Sequence, residues 1–268
     1  MKITSKLISL ILVLILAFLL VACENESKNQ TITQTSTTVE TTRETEQVTE
    51  ESTQSEIDYD NLVVDAVFEE LTDPFSSQVC YYHIPKVNLS DGLADKINEK
   101  MLTDGEEFMS DAYDSIDMDV SIISSGYNYL WGYKDNVVSV LAAEFFNTPG
   151  LHYNIYNMDM ETGEILTNSD LVKLYNFTEE EMINLIIKKS GEKFEEKYIE
   201  IKEQVADFYN MQYQSTVAAE NAEKAVLYIN ENGDLCCVAT IYSMAGAPSY
   251  DHVINLTGDT PAKDPDVM

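Results

Sequence analysis

The side chains best suited to chemistry in this chain are few. They are three histidines, His83, His152 and His252, and four cysteines, Cys23, Cys80, Cys236 and Cys237. No histidine stands in a His-x-x-x-His or His-x-x-Glu-His pattern, and no cysteine pair is spaced Cys-x-x-Cys. The spacing therefore signals no zinc site. Neither a Gly-x-Ser-x-Gly elbow nor a Walker-type loop occurs, and Cys236 has no local partner that would activate it as a nucleophile. Asp111, Asp114, Asp117 and Asp119 crowd one short stretch. Clustered carboxylates can hold calcium, but the Asp-x-Asp-x-Asp-Gly spacing and closing Glu of an EF-hand are missing. A solvated acidic face is the alternative. No catalytic residue, metal or cofactor is assigned on these grounds.

The elements that must position these groups read as an α+β fold, an antiparallel sheet covered by helices in two interlocked subdomains, 58–126 and 127–257. Val79 to Ile84 reads as a strand ended by Pro85. Ser90 or Asp91 can cap a helix to about Asp104, where Leu93, Ile97 and Met101 fall on one stripe. Phe108, Ala112 and Ile116 extend that stripe past Gly105, as a kinked continuation or a second helix. Val120 to Ile123 and Tyr127 to Tyr133 read as strands. Val137 to Phe146 is a buried strand, broken by Asn147-Thr148-Pro149-Gly150. Alternation resumes from Tyr153, and Gly163 sits where a turn needs positive φ. Asn168 or Ser169 can cap the helix that follows.

Thr178-Glu179-Glu180-Glu181 is a capping box. The helix it opens carries Leu185 and Ile186, with Gly191 as a possible interruption, and Phe194, Tyr198, Ile201, Val205 and Phe208 as an inward stripe. Lys224 to Ile229, Asn232-Gly233 and Leu235 to Ile241 form the clearest hairpin. Val253 to Leu256 is a last strand, and residues 258–268 read as a frayed tail.

Cys80 falls on an early strand and Cys236 and Cys237 on a late one. A bridge from Cys80 to either is one reading in an oxidising compartment, and three small buried hydrophobes is the other. Adjacent strand residues point to opposite faces, so only one of Cys236 and Cys237 is placed to pair easily. Tyr127, Tyr129, Tyr133, Tyr153, Tyr156 and Tyr242 lie on strands. An exposed row of them would bind glycan or protein, whereas packing between sheet and helix is their commoner use.

The succession from Ser139 to Lys173 (strand, Gly-containing loop with His152, aromatic strand, D-M-E-T-G-E, I-L-T-N-S-D-L) resembles the extracytoplasmic domain of RsiV-type, lysozyme-sensing anti-sigma factors. Related domains occur in surface lipoproteins and beside a peptidoglycan deacetylase domain. Tyr81 to Val87 with Ala94 to Asn98, and Ala225 to Ile254, resemble the family's opening and closing segments. The resemblance covers roughly residues 79–256. The family loop tends to read Gly-Gly-Ala-His. Here Pro149, Gly150, Leu151 and His152 stand in its place, so one Gly and the Ala are missing. The resemblance implies a binding loop at Pro149, Gly150, His152 and Tyr153, and lysozyme or a similar cationic wall-associated protein as partner.

The N-terminus carries the layout of a secretory signal in residues 1–22: Lys2 and Lys6, an apolar run from Leu7 to Leu20, then small residues before Cys23. Leu20-Val21-Ala22-Cys23 resembles a bacterial lipobox, which implies cleavage before Cys23 and lipidation of its sulfur. The run falls short of the ~18–20 residues a comfortable membrane span needs. Residues 23–57 hold the lipidated Cys and a Thr- and Glu-rich tether too polar to fold.

The formal net charge is −31, and loss of Lys2 and Lys6 with the signal takes it to −33. Such charge disfavours nucleic acid and anionic membrane surfaces and favours cationic partners, or simply keeps a secreted chain soluble. The reading is a non-enzymatic, lipid-anchored binding module on the outer face of a bacterial cytoplasmic membrane. With no cytoplasmic sigma-binding segment, it is expected to act as a decoy or inhibitor rather than to signal inward. An accessory or unrecognised enzyme of peptidoglycan turnover, using His152 and nearby carboxylates, is the alternative. A solute-binding lipoprotein ranks last, because repeated βα crossovers are absent.

Overall fold

In a computed structural model, residues 57–90, 92–118, 120–123, 125–146, 150–244 and 249–266 are described. The signal segment, Cys23, the tether to residue 56, Asp91, Asp119 and Pro149 lie outside them. The fold is α+β. Five strands form one sheet in the order β1 (Val63–Thr72), β2 (Val79–Val87), β3 (Ser125–Lys134), β4 (Val137–Phe146), β5 (His152–Asp159). All neighbours are antiparallel except β2 and β3, which run parallel and pair at Tyr82–Tyr127. A parallel pair needs a long crossover, and helix α1 (Asp95–Asp117) supplies it.

A second sheet, antiparallel throughout, holds β6 (Val226–Ile229), β7 (Leu235–Tyr242) and β8 (Ser249–Asn255). Four helices precede it: α2 (Asn168–Leu174), α3 (Glu179–Tyr198), α4 (Ala206–Thr216) and α5 (Ala219–Ala222).

Strand alternation sorts the side chains into layers. On β4, Val138, Val140 and Ala142 join the core beneath α1, with Ile97 and Met101 of that helix. Leu141, on the other face, meets Tyr228, Cys236, Val238 and Val253 of the second sheet. The remaining face of the second sheet, with Leu235, Cys237 and Ile241, packs on Met182, Ile186 and Phe194 of α3. Between the sheets, Asn157 accepts from Ser139 Oγ (2.6 Å) and donates to the Leu227 carbonyl (2.9 Å). A buried amide that satisfies both sheets fixes their register, because shifting it would strand polar atoms away from water.

This arrangement corrects several expectations. Gly126 is no boundary, since it lies inside β3 within the continuous sheet. The chain instead passes from one sheet to the helices of the other after β5. Helix α1 runs unbroken through Gly105, because a bare Cα lets Ile84 close in: an added Cβ would lie 2.7 Å from Ile84 Cγ1. Its N-cap is Ala94 rather than Ser90 or Asp91, and Thr167 rather than Asn168 or Ser169 starts α2.

Residues 120–123 form no strand. They are tied down by Asp73, whose Oδ1 accepts from Ser121 Oγ (2.7 Å) and the Ile122 amide (2.8 Å). The inward stripe of α3 breaks after Tyr198, where a 3-10 turn resets the phase. Tyr209 is buried in place of Phe208, which is exposed.

Nor does the tail fray through Asp266. Ala262 joins the inter-sheet core, Lys263 pairs with Glu231 at 2.5 Å, and Tyr153 donates to Asp264 at 2.6 Å.

The disulfide is not formed. Cys80, Cys236 and Cys237 are free and buried, and each sits in a different core, with a sheet between one and the next. Cys236 and Cys237 do point to opposite faces of β7. Cys80 donates instead to the Ile122 carbonyl at 3.0 Å.

Candidate functional site

The crossover that links β2 to β3 also builds a strongly acidic hollow. Asp104, Glu107 and Asp111 recur at steps of three and four along α1, so one helix face carries all three. Glu144 comes from β4 and Asn154 from β5. Together with Phe108 and Ser110 they line an open cleft of about 600 Å³. Glu144 is the one charged residue of a strand that is otherwise apolar but for Ser139. Strand register sets it directly opposite His152, the first residue of β5.

The electrostatics follow from the crowding. Burial raises the Glu144 pKa, His152 pulls it back, and Asp104 and Asp111 raise it further. Lys100, beside the cleft, is already paired with Asp104 at 2.7 Å and lies over the Tyr156 ring. Tyr156 donates to the same Asp104 carboxylate at 2.8 Å. Burial first, then Tyr127 and Asp104, holds that phenol protonated well above its usual range.

Tyr127 is fully buried, and among the described residues its hydroxyl meets no partner in full hydrogen-bond geometry, although Tyr156 and Asn154 lie within its reach. Its nearest polar influences are Tyr156, Glu144, Asp104 and Asn154, which puts it against the cleft wall. Burial pushes its pKa up to about 12. The cleft thus combines excess negative charge with the polar side chains of Ser110 and Asn154 in its lining. Such a site favours a cationic group that also carries hydrogen-bonding atoms, the chemistry of a lysine or arginine side chain.

The residues singled out in the sequence scatter around this cleft. Asp111 lines it and His152 flanks it through Glu144. Asp114 and Asp117 are exposed elsewhere on α1. Among the described residues no group of three or more His, Cys, Asp or Glu is placed to hold a metal ion. Gly150 packs on Tyr250, where a Cβ would come within 2.8 Å of the ring. Tyr153 turns toward the tail through Asp264.

His252 accepts at Nε2 from Lys197 (2.9 Å). Burial, with Lys197 and Lys193, lowers its pKa to about 4, so it stays neutral. His83 pairs with Asp65 at 3.1 Å on the face of β2 opposite α1. Sequence reasoning missed Asp104, Glu107, Glu144 and Asn154. The helical spacing of the first two with Asp111 was a usable signal, whereas the approach of β4 and β5 to α1 was not.

No protein-family model matches the chain, and no curated protein matches it. Among the described residues no helix is long and apolar enough to cross a membrane.

Proposed function

We propose that the chain is a lipid-anchored, extracytoplasmic binding module that takes a cationic protein into the cleft between α1 and β4–β5. The observation that carries this reading is the convergence of Asp104, Glu107, Asp111 and Glu144 on one open hollow. Four carboxylates around a shared volume repel one another, and Asp104 and Asp111 add to the burial that raises the Glu144 pKa, against the opposing pull of His152. A cation entering the hollow relieves this repulsion. Complementary charge also steers the encounter and raises the on-rate.

Two sequence features support the cellular setting. Leu20-Val21-Ala22-Cys23 has the form of a lipobox, and the segment around His152 resembles the RsiV-type domains that sense lysozyme. His152, which starts β5 and faces Glu144, stands at the edge of the acidic cleft.

The test is calorimetric titration of the full chain with lysozyme and with an unrelated protein of equal size and positive charge. The reading expects lysozyme to bind more tightly, and to stay bound where the Debye length is about 8 Å. Equal binding to both that vanishes with salt would reduce the acidity to a solvated surface.

A further inference from the structure

A second hollow, of about 160 Å³, lies between the two sheets and shares no lining residue with the acidic cleft. Tyr153 and Ile155 of β5 line it from the first sheet. Val226, Val238, Thr240 and Asp251 line it from the three strands of the second, with Lys224 just ahead of β6. Strand register explains why these side chains meet. Val226 is paired with Val238, and Thr240 with Asp251. Cross-strand partners and residues two apart share a face, so all four point into the space between the sheets. Continued back by two residues, the β6–β7 register sets Lys224 opposite Thr240. Lys224 and Asp251 therefore flank Thr240 on its two sides.

The floor is apolar and incompletely covered. Val238 joins the inter-sheet core, whereas Val226, its cross-strand partner, stays 43% exposed. The two charged groups stand ready in different ways. Thr240 Oγ1 donates to Asp251 Oδ1 at 2.7 Å, which fixes a carboxylate that still has acceptor capacity to spare. Among the described residues Lys224 forms no ion pair. Acids outnumber bases 47 to 16 in this chain, so a lysine with no acid on it is unexpected.

We infer that this hollow binds a small aliphatic α-amino acid, with its carboxylate on Lys224, its ammonium on Asp251 and its side chain against Ile155, Val226 and Val238. Such a ligand carries both charges and an apolar group on one carbon. It answers the two flanking residues and covers the apolar floor between them. The hollow has the volume of about five waters, which suits a molecule of valine's size better than an aromatic amino acid or a peptide. A simple carboxylate or amine would leave one of the flanking charges unanswered.

The test is titration of the full chain with L-valine, isovalerate and isobutylamine, followed by NMR through the amide shifts of Val226, Val238 and Thr240. Isovalerate lacks the ammonium and isobutylamine lacks the carboxylate. Saturable shifts with valine are expected, with at least tenfold weaker binding of either fragment. Lys224→Met and Val226→Phe both alter exposed positions. Each should weaken valine binding about tenfold at an unchanged melting temperature, the first by removing the cation and the second by filling the hollow. No saturation with valine, a fragment that binds as tightly as valine, or undiminished binding by Lys224→Met would overturn the inference.

Discussion

Glu144 and His152 face each other across β4 and β5, and this one cross-strand pair joins the histidine loop to the acidic cleft. Glu144 is half-buried beside other carboxylates, and burial more than any neighbour makes its ionisation unfavourable. A carboxyl whose folded pKa is raised contributes stability that is intact below its unfolded pKa of about 4.3 and is lost as pH rises through the folded value. Glu144→Gln should therefore melt about 1–2 °C higher than the parent at pH 7 and show no gain near pH 4. The same change should weaken binding of a cationic protein. Thermal melts at the two pH values check the first half. A lower melting temperature at pH 7 would mean that His152 more than offsets the crowding.

Asp73 has the opposite sign. Burial alone would raise its pKa, but hydrogen bonds from Ser121, Ser76 and Ile122 outweigh it and hold the carboxyl well below the usual range. Its contribution is present above the unfolded value of about 3.9 and is lost as pH falls through the folded one. Asp73→Asn should lower stability at neutral pH and flatten the loss of stability in acid. Urea unfolding at pH 7 and pH 3 measures both. Equal acid sensitivity of parent and variant would contradict the assignment.

Much of this frame was legible because local chemistry agreed with tertiary need. Val137 to Phe146 is a strand from first residue to last, as its largely apolar, Val- and Phe-rich run implies. Thr178 and Glu181 form their capping box, with the Thr178 amide donating to Glu181 Oε2 at 2.9 Å. The NG turn of β6–β7 has Gly233 at φ +75°, as its left-handed position requires. What was not legible depends on residues far apart in the chain. The parallel pairing at Tyr82–Tyr127 spans α1, so the sheet crosses the boundary that the sequence placed at Gly126. The docked tail depends on partners such as Glu231 and Tyr153. Three of the cleft's acids, Asp104, Glu107 and Asp111, carry a helical spacing, but nothing local brings Glu144 to them.

At Gly132 the backbone of β3 lies directly against Asn230, just past the end of β6. A Cβ there would lie 1.9 Å from the Asn230 carbonyl oxygen, which belongs to the backbone and cannot swing aside. Gly132→Ala should destabilise by at least about 3 kcal/mol, at the upper end of overpacking costs. Gly233→Ala, strained in φ but with only a distant neighbour at 3.5 Å, should cost about 1 kcal/mol. Denaturant unfolding of both variants gives the ranking. A reversed order would mean that the sheets can separate at little cost.

The buried thiols give a chemical test of the layering. Burial pushes the Cys236 thiol up to about 12 and the Cys237 thiol higher still. Thiolate is the reactive form, so native protein at pH 8 should leave Cys80, Cys236 and Cys237 unmodified by iodoacetamide, and guanidinium should expose all three together. Peptide mapping by mass spectrometry reads this. Selective labelling of one in the native state would place that residue outside the core.

The central claim is that the cleft, and not overall acidity, selects the partner. The direct measurement is lysozyme binding at near-physiological salt by the parent and by two variants of equal charge. One carries Glu107→Gln and Asp111→Asn in the cleft, and the other Glu179→Gln and Glu180→Gln at the start of α3. The account predicts at least a tenfold loss, about 1.4 kcal/mol, for the cleft variant and almost none for the other. Equal losses in the two variants would contradict it.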